Sequence, residues 1–129
     1  MVKNQSVFMD IPPDQHVLRG EHFFVVKDGF PVSQGHCLIV SRQPRTDYFE
    51  LNEDERHELT VLIHEVRAWI EQSHSPDGYN IGMNCGRLAG QTIMHFHCHI
   101  IPRYAGDMRK PDGGIRHCVS GKGHYDSKE

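Results

Sequence analysis

The alternation of apolar and polar positions along the chain predicts four β-strands. Residues 21–28 and 36–43 are rich in β-branched and aromatic side chains, and the stretch GFPVSQG between them carries glycine and proline turn signals. These two segments are therefore expected to form a hairpin. Residues 79–84 and about 92–102 predict two more strands, one on each side of the glycine-bearing stretch CGRLAG.

One long helix is predicted between the two pairs of strands. Asn52 stands at the expected N-cap and Glu55 follows three residues later, which is the spacing of a capping box. Apolar residues then recur at helical spacing and define one buried stripe, formed by Leu59, Leu62, Ile63, Val66 and Ile70. The order β-β-α-β-β predicts an α+β fold, in which one main helix packs on a mainly antiparallel sheet.

Length and composition narrow the classes of protein that fit. The 129 residues are expected to form a single domain, with a core at about 20–103 and a polar, glycine-rich tail at 104–129. A formal charge of −3 gives no general basic surface for nucleic acid. No apolar run reaches the roughly 20 residues of a membrane span, and the first residues do not resemble a signal peptide. The four cysteines form no CxxC pair, so a reduced, cytoplasmic protein is expected.

The stretch QTIMHFHCHIIPR places a histidine at every second position of the last predicted strand. Side chains on a strand alternate between its faces, so His95, His97 and His99 share one face and the apolar residues between them face the helix. Three interpretations are open at this point. The histidines could be exposed polar residues, ligands of a zinc ion, or the centre of nucleophilic catalysis at phosphorus.

Three motifs in the same order resemble those of the histidine triad (HIT) superfamily. HFHCHII is similar to its His-φ-His-φ-His-φ-φ signature, in which φ is apolar, and NCGRLAGQT resembles the approach to that signature. DGFPVSQGHCLIV resembles the hairpin in which an acidic or amide residue precedes a Gly-His pair. The similarity covers about residues 23–103 and implies a HIT-like sheet in a single HIT-like domain. It also favours the nucleophilic interpretation of the triplet.

The resemblance implies a catalytic role for four histidines. His97 matches the nucleophile that attacks the α-phosphorus of a nucleotide and forms a covalent nucleotidyl-histidine. His99 matches the residue that contacts the phosphate and the leaving-group oxygen. His95 matches a histidine that helps to hold the nucleophilic ring in one tautomer, and His36 supports the same network.

The resemblance also implies two groups of substrate-binding residues. The first surrounds the phosphate and the scissile oxygen, with Asn84, Gln91 and Thr92 as polar groups and the Gly90-containing turn as a source of backbone N–H donors. For Thr92 the alternative is an ordinary strand residue whose hydroxyl is satisfied locally.

The second group is expected to hold the nucleoside. Asp28 matches the carboxylate that binds both ribose hydroxyls, and Leu38 and Val26 match apolar residues that flank the base. Two alternatives remain open here. Asp28 could be an ordinary turn aspartate, and Leu38 could be a core residue of the hairpin.

The stretch after the triplet resembles a bacterial and archaeal branch of the superfamily, described as dinucleoside-polyphosphate hydrolases and related to the fragile-histidine-triad group. Its basic residues could meet the distal phosphates of a long substrate; they are Arg103, Arg109, Lys110 and Arg116. The alternative is a solvated loop of mixed charge.

Taken with this branch, the resemblance implies a nucleotide hydrolase that cleaves the α-phosphate linkage of a nucleoside polyphosphate, in particular a diadenosine polyphosphate. It implies a homodimer with no nucleic acid or membrane partner and no intrinsic cofactor, although Mg²⁺ could accompany the polyphosphate substrate. The alternatives with the same chemistry are a nucleoside phosphoramidase and a phosphorylase. Two alternatives from other classes are a nucleotide-binding module with slow turnover and a metal-dependent enzyme.

Overall fold

A computed structural model describes residues 6–125 of the protein. Its helix α1 spans Glu53–Ile70, and its five strands are β1 Leu18–Arg19, β2 Phe23–Lys27, β3 Cys37–Ser41, β4 Gly78–Gly82 and β5 His97–Arg103. The sheet order is β1-β2-β3-β5-β4 and every neighbouring pair is antiparallel. The α+β prediction is confirmed. The two-residue strand β1 was not predicted, because it is too short to show a periodic pattern.

Helix α1 begins at the predicted cap. The Asn52 side chain accepts a hydrogen bond from the Glu55 N–H at 2.8 Å, and the Glu55 carboxylate accepts one from the Asn52 N–H at 2.7 Å. Four residues of the predicted stripe are buried against the sheet, and Ile63 is partly buried at its border. The capping box therefore fixes where the helix starts, and the stripe fixes which face it buries.

The two faces of β5 have different surroundings. Cys98 and Ile100 are fully buried in the core under the helix, and Phe96 just before the strand joins them there. The opposite face carries His97 and His99, which are only partly buried. This alternation is the one that the sequence predicts for the central and last histidines of the triplet.

The last strand starts later than predicted. Residues 92–96 are not part of the sheet, and β5 begins at His97 and ends at Arg103. The segment before it is held instead by loop contacts, since the Phe96 N–H donates to the Arg45 carbonyl at 2.7 Å and the Phe96 carbonyl accepts from the Ser41 N–H at 3.3 Å. The prediction that all three histidines lie on one regular strand was therefore wrong for His95.

A second apolar cluster lies on the histidine face of the sheet. Strands β2 and β3 contribute to it, and a 3-10 turn at Val7–Asp10 covers it with the buried Phe8. The sequence pattern did not predict this turn, which has only four residues. No helix within residues 6–125 has the length and apolar character needed to cross a membrane.

Candidate active site

A cavity of about 410 Å³ opens over the histidine face of the sheet. It lies between the N-terminal turn, the loop that follows β2 and the loop that precedes β5. Most of the predicted site residues line it: Asp28, Leu38, Asn84, Gly90, Thr92, His97 and His99. The structure therefore brings together residues that are up to 71 positions apart in the chain.

The His97 ring is held in one tautomer by the backbone. Its Nδ1 lies 2.7 Å from the carbonyl oxygen of His95. A carbonyl oxygen can only accept, so Nδ1 carries the proton and Nε2 of the neutral ring keeps its lone pair. Phe8 packs against the ring with 4.9 Å between the centroids. His97 therefore offers an unprotonated, oriented nitrogen to the cavity.

A chain of hydrogen bonds fixes the tautomer of His99 as well. The Val32 N–H donates to His36 Nδ1 at 3.1 Å, so the proton of the neutral His36 ring is on Nε2. His36 Nε2 in turn donates to His99 Nδ1 at 2.9 Å. The proton of neutral His99 is therefore on Nε2, so the cavity holds a hydrogen-bond donor next to the acceptor of His97.

Burial keeps these two partner rings uncharged. It lowers the pKa of His36 and, with help from the neighbouring His36 and His97 rings, lowers the pKa of His99 to about 4, while the Asp28 carboxylate opposes both shifts. Near neutral pH both rings are thus neutral, as the hydrogen-bond chain requires.

We expect stability to decrease in acid because of His99. Its pKa is about 4 in the folded protein against a usual value of 6.5, so the unfolded chain binds the extra proton between these values. The stabilisation from His99 is complete above pH 6.5 and is lost as the pH falls toward 4. Urea unfolding should show a lower free energy of unfolding at pH 4.5 than at pH 7. In His99→Asn this difference between the two pH values should be smaller, by on the order of 2 kcal/mol. An equal decrease in both proteins would contradict the assignment.

His95 acts through its main chain and not through a ring contact with His97. Its ring is buried outside the cavity lining, and its Nε2 donates to the Ser41 carbonyl at 2.7 Å. This bond ties the segment before β5 to the end of β3. The predicted role in holding the nucleophile's tautomer therefore belongs geometrically to the carbonyl oxygen of the residue.

Gln91 does not line the cavity. Its buried side-chain amide accepts from the Gly86 N–H at 2.8 Å and donates to the carbonyls of Thr46 and Ile93 at 2.6 and 3.1 Å. These bonds hold the loop that carries Asn84, Gly90 and Thr92. Gly90 has a φ of +100°, a left-handed conformation that suits glycine, and it directs this loop along the rim of the cavity.

The end of the cavity opposite the loop that carries Asn84, Gly90 and Thr92 is apolar. Val26 and Leu38 are buried on neighbouring strands and line it, so Leu38 is a core residue and a cavity residue at once. Asp28 closes this end, with Oδ1 accepting from the Phe30 N–H at 2.8 Å and Oδ2 3.2 Å from His36 Nε2. Asp28 is thus also a turn aspartate.

Several lining residues were not predicted. They are Val7, Phe8, Ile11, Lys27, Gly29, Phe30 and Ile93. For Val7, Phe8 and Ile11 the signal in the sequence was the apolar character of VFMDI near the start, in a stretch with no regular period. Phe30 remains 91% exposed at the rim of the cavity.

None of the four basic residues that follow the triplet lines this cavity. Arg103 donates to both oxygens of Asp107 at 2.7 and 2.8 Å and to Asn80 at 2.7 Å. Arg116 donates to two backbone carbonyls of the tail. The predicted contact of these residues with distal phosphates is therefore not built into the cavity.

One set of side chains, two of which line the cavity, has the spacing of metal ligands. Asp28, His36 and His99 each place one ligand atom within 4.8 Å of the others. Nitrogen and carboxylate donors of this kind suit zinc and similar ions. A cation held there would replace the hydrogen bond between the two histidines.

The sheet, the helix and the histidine cavity define the class of this protein. The family model of the HIT domain matches residues 11–106, and the chain therefore belongs to the HIT family.

Individual relatives agree with this assignment. The chain is 40% identical to an uncharacterized HIT-like protein of Methanocaldococcus jannaschii, over 74% of this chain and 73% of that protein. It is 30% identical to an AP-4-A phosphorylase of Mycobacterium tuberculosis, over 70% of this chain and 47% of that enzyme. A solved structure of a hypothetical histidine triad nucleotide-binding protein from Sulfolobus tokodaii matches with a TM-score of 0.67 and 37% identity, over 71% of this chain and 62% of that one. The chain thus spans less than two thirds of the last two relatives.

Proposed function

We propose that the protein is a nucleotide hydrolase that cleaves the α-phosphate linkage of a nucleoside polyphosphate, with a diadenosine polyphosphate as its substrate. The observation that carries this proposal is the pair of fixed tautomers. His97 presents an unprotonated Nε2 while the neighbouring His99 presents a protonated one. A nucleophile beside a hydrogen-bond donor that stabilises the leaving oxygen is an arrangement that suits displacement at phosphorus.

In the first step, the lone pair of His97 Nε2 forms a bond to the α-phosphorus and the bond from phosphorus to the bridging oxygen breaks. The Nε2–H of neutral His99 donates a hydrogen bond to the departing oxygen, which leaves as a phosphate anion and keeps the electron pair of the broken bond. The His97 ring becomes positively charged, and the His95 carbonyl at 2.7 Å from its Nδ1–H stabilises that charge. The product is a nucleotidyl group bound covalently to His97.

In the second step, water attacks the same phosphorus and the bond to His97 Nε2 breaks. The electron pair of the broken bond returns to Nε2, so the His97 ring becomes neutral again. The proton of the water stays on the nucleoside monophosphate, which leaves and exchanges it with solvent, while His99 keeps its Nε2 proton throughout. Two displacements on one phosphorus are thus completed without a net change in the enzyme.

Substrate binding follows the division of the cavity into two ends. The apolar end with Val26 and Leu38 takes the base, and Asp28 accepts from the ribose hydroxyls with its remaining lone pairs. Asn84, Thr92 and the Gly90 turn contact the phosphate from the other side. A Mg²⁺ ion, where present, arrives with the polyphosphate and shields its charge.

The name of the Mycobacterium tuberculosis relative, an AP-4-A phosphorylase, favours a dinucleoside polyphosphate and also supports a second candidate function. Phosphate could replace water in the second step, because the covalent intermediate accepts either nucleophile. The reaction would then release a nucleoside diphosphate.

The proposal also includes the oligomeric state that the family resemblance implies, which is a homodimer in solution.

Mass spectrometry of the protein quenched during turnover of diadenosine tetraphosphate tests the mechanism. We expect an added adenylyl mass on the peptide that contains residues 91–103, located on His97. Product analysis with and without inorganic phosphate separates a hydrolase from a phosphorylase. Rapid turnover with no adduct on this peptide, or an adduct on another histidine, would disprove the assignment.

A further inference from the structure

A second groove, of about 340 Å³, lies on the same face of the sheet as the catalytic cavity. His97 and His99 line the cavity, and the next outward-facing residues of β5, Ile101 and Arg103, line the groove. Because alternate residues of a strand share a face, the two spaces follow one another along β5. A ligand that leaves the cavity past His99 therefore enters this groove, which we call the tail groove.

The chain after β5 forms the outer wall of the tail groove. Gly82 pairs with His99 across the sheet, and the Ile115 side chain lies 3.6 Å from the position that a Cβ of Gly82 would take. The tail therefore lies close to the sheet beside His99. Gly114 and Met108 continue this wall into the groove.

The wall is anchored by contacts at and around the groove. The Tyr104 hydroxyl donates to the Gln34 carbonyl at 2.7 Å, and the Ala105 N–H donates to the Asp77 carboxylate at 2.9 Å. Arg103 and Asp107 form a two-pronged ion pair at the start of the tail. A groove that is already formed requires little ordering when a ligand binds.

The chemistry of the tail groove suits a flat, largely apolar group better than a phosphate. Val32, Ile101 and Met108 are its apolar residues. The charge of Arg103 is compensated by Asp107, and its third hydrogen bond goes to Asn80. A nucleobase, with two apolar faces and a polar edge, fits this lining.

We propose that the tail groove binds the nucleoside of the leaving half of a dinucleoside polyphosphate. This inference rests on the proposed function, since the leaving half is defined by cleavage at His97. A strand advances about 3.3 Å per residue, so Ile101 lies about 13 Å beyond His97 along β5. A bridge of several phosphates spans such a distance, and a leaving group that lacks a second nucleoside does not fill the groove.

Calorimetric titration of the inactive His97→Asn protein tests this inference with two ligands, diadenosine tetraphosphate and adenosine 5′-tetraphosphate. They carry the same number of phosphates and differ by the second nucleoside. We expect the dinucleotide to bind about tenfold more tightly, and Val32→Ala/Met108→Ala in this background to remove the difference without changing the binding of adenosine tetraphosphate. Both side chains are exposed, by 71% and 40%, and the Val32 N–H that donates to His36 is retained.

Val61→Ala is the matched control, because Val61 is 43% exposed on the helix and lies outside both spaces. It should keep the tenfold difference. Equal affinity for the two ligands, or an equal loss of affinity for both in the double variant, would overturn the proposed role of the tail groove. The proposed function would remain intact. Binding of neither ligand would overturn the proposed function and the groove together.

Discussion

The variant His97→Asn is expected to lower kcat for diadenosine tetraphosphate by at least about 10⁴-fold, while nucleotide affinity changes by less than about threefold. An asparagine amide cannot form the covalent bond to phosphorus. The base, ribose and phosphate contacts of the cavity come from other residues, so binding should persist. Steady-state kinetics and calorimetric titration of the same preparation measure the two quantities.

His57→Asn provides the control for this variant. His57 is exposed on helix α1, away from the cavity, and its replacement should leave kcat unchanged. Hydrolysis by His97→Asn within about tenfold of the parent protein would refute the nucleophile assignment. Loss of affinity together with activity would instead show that His97 is needed to shape the cavity.

The second large effect is expected on stability. Glu55 is buried, and both of its carboxylate oxygens accept from Arg45 Nε, at 3.0 and 3.1 Å. Arg45→Met removes the cation and leaves the buried carboxylate with the Asn52 N–H as a donor but without its ion-pair partner. We expect the free energy of unfolding to fall by about 3 kcal/mol, the lower end for a broken buried pair, because the Arg45 side chain is 31% exposed.

Arg67→Met is the comparison variant for this prediction. Arg67 pairs with Glu71 at the same 3.0 Å distance, but both side chains are exposed on the helix surface. Water and salt screen such a pair, so its removal should leave the urea midpoint unchanged within error. Equal destabilisation by the two variants would show that the burial of Glu55 does not determine how much its ion pair contributes to the free energy of unfolding.

The Arg45–Glu55 pair also bears on the active site. Arg45 accepts the Phe96 N–H through its carbonyl, and Gln91 donates to the carbonyl of the next residue, Thr46. The loop that Glu55 anchors thus holds the segment just before His97. Glu55 of the capping box and His97 lie 42 positions apart and are connected through three hydrogen-bonded steps.

Features set by local spacing could be predicted from the sequence. The capping box at Asn52 and the helical stripe depend only on residues a few positions apart, and both appear as expected. The alternation of His97 and His99 with Cys98 also follows from the period of a strand. The order β-β-α-β-β also followed from these patterns, and the family motifs lie along the chain in agreement with it.

Features set by distant partners could not be predicted. The start of β5 at His97 depends on loop contacts of Phe96 with Arg45 and Ser41, which no local pattern encodes. The role of Gln91 depends on a bond to a carbonyl 45 residues away. The cover that Phe8 gives to His97 comes from a turn whose Phe8 side chain is buried against apolar residues of β2 and β3, which are distant in the sequence.

The bond from His97 to the His95 carbonyl has a consequence for mutagenesis. Every amino acid has a main-chain carbonyl, so a substitution at position 95 cannot delete the acceptor of the His97 Nδ1–H. It can only displace this carbonyl, because the hydrogen bond from the His95 ring to Ser41 is lost. Activity across a set of replacements at this position should therefore follow how well each new side chain fills a buried site. The proton affinity of that side chain should matter little.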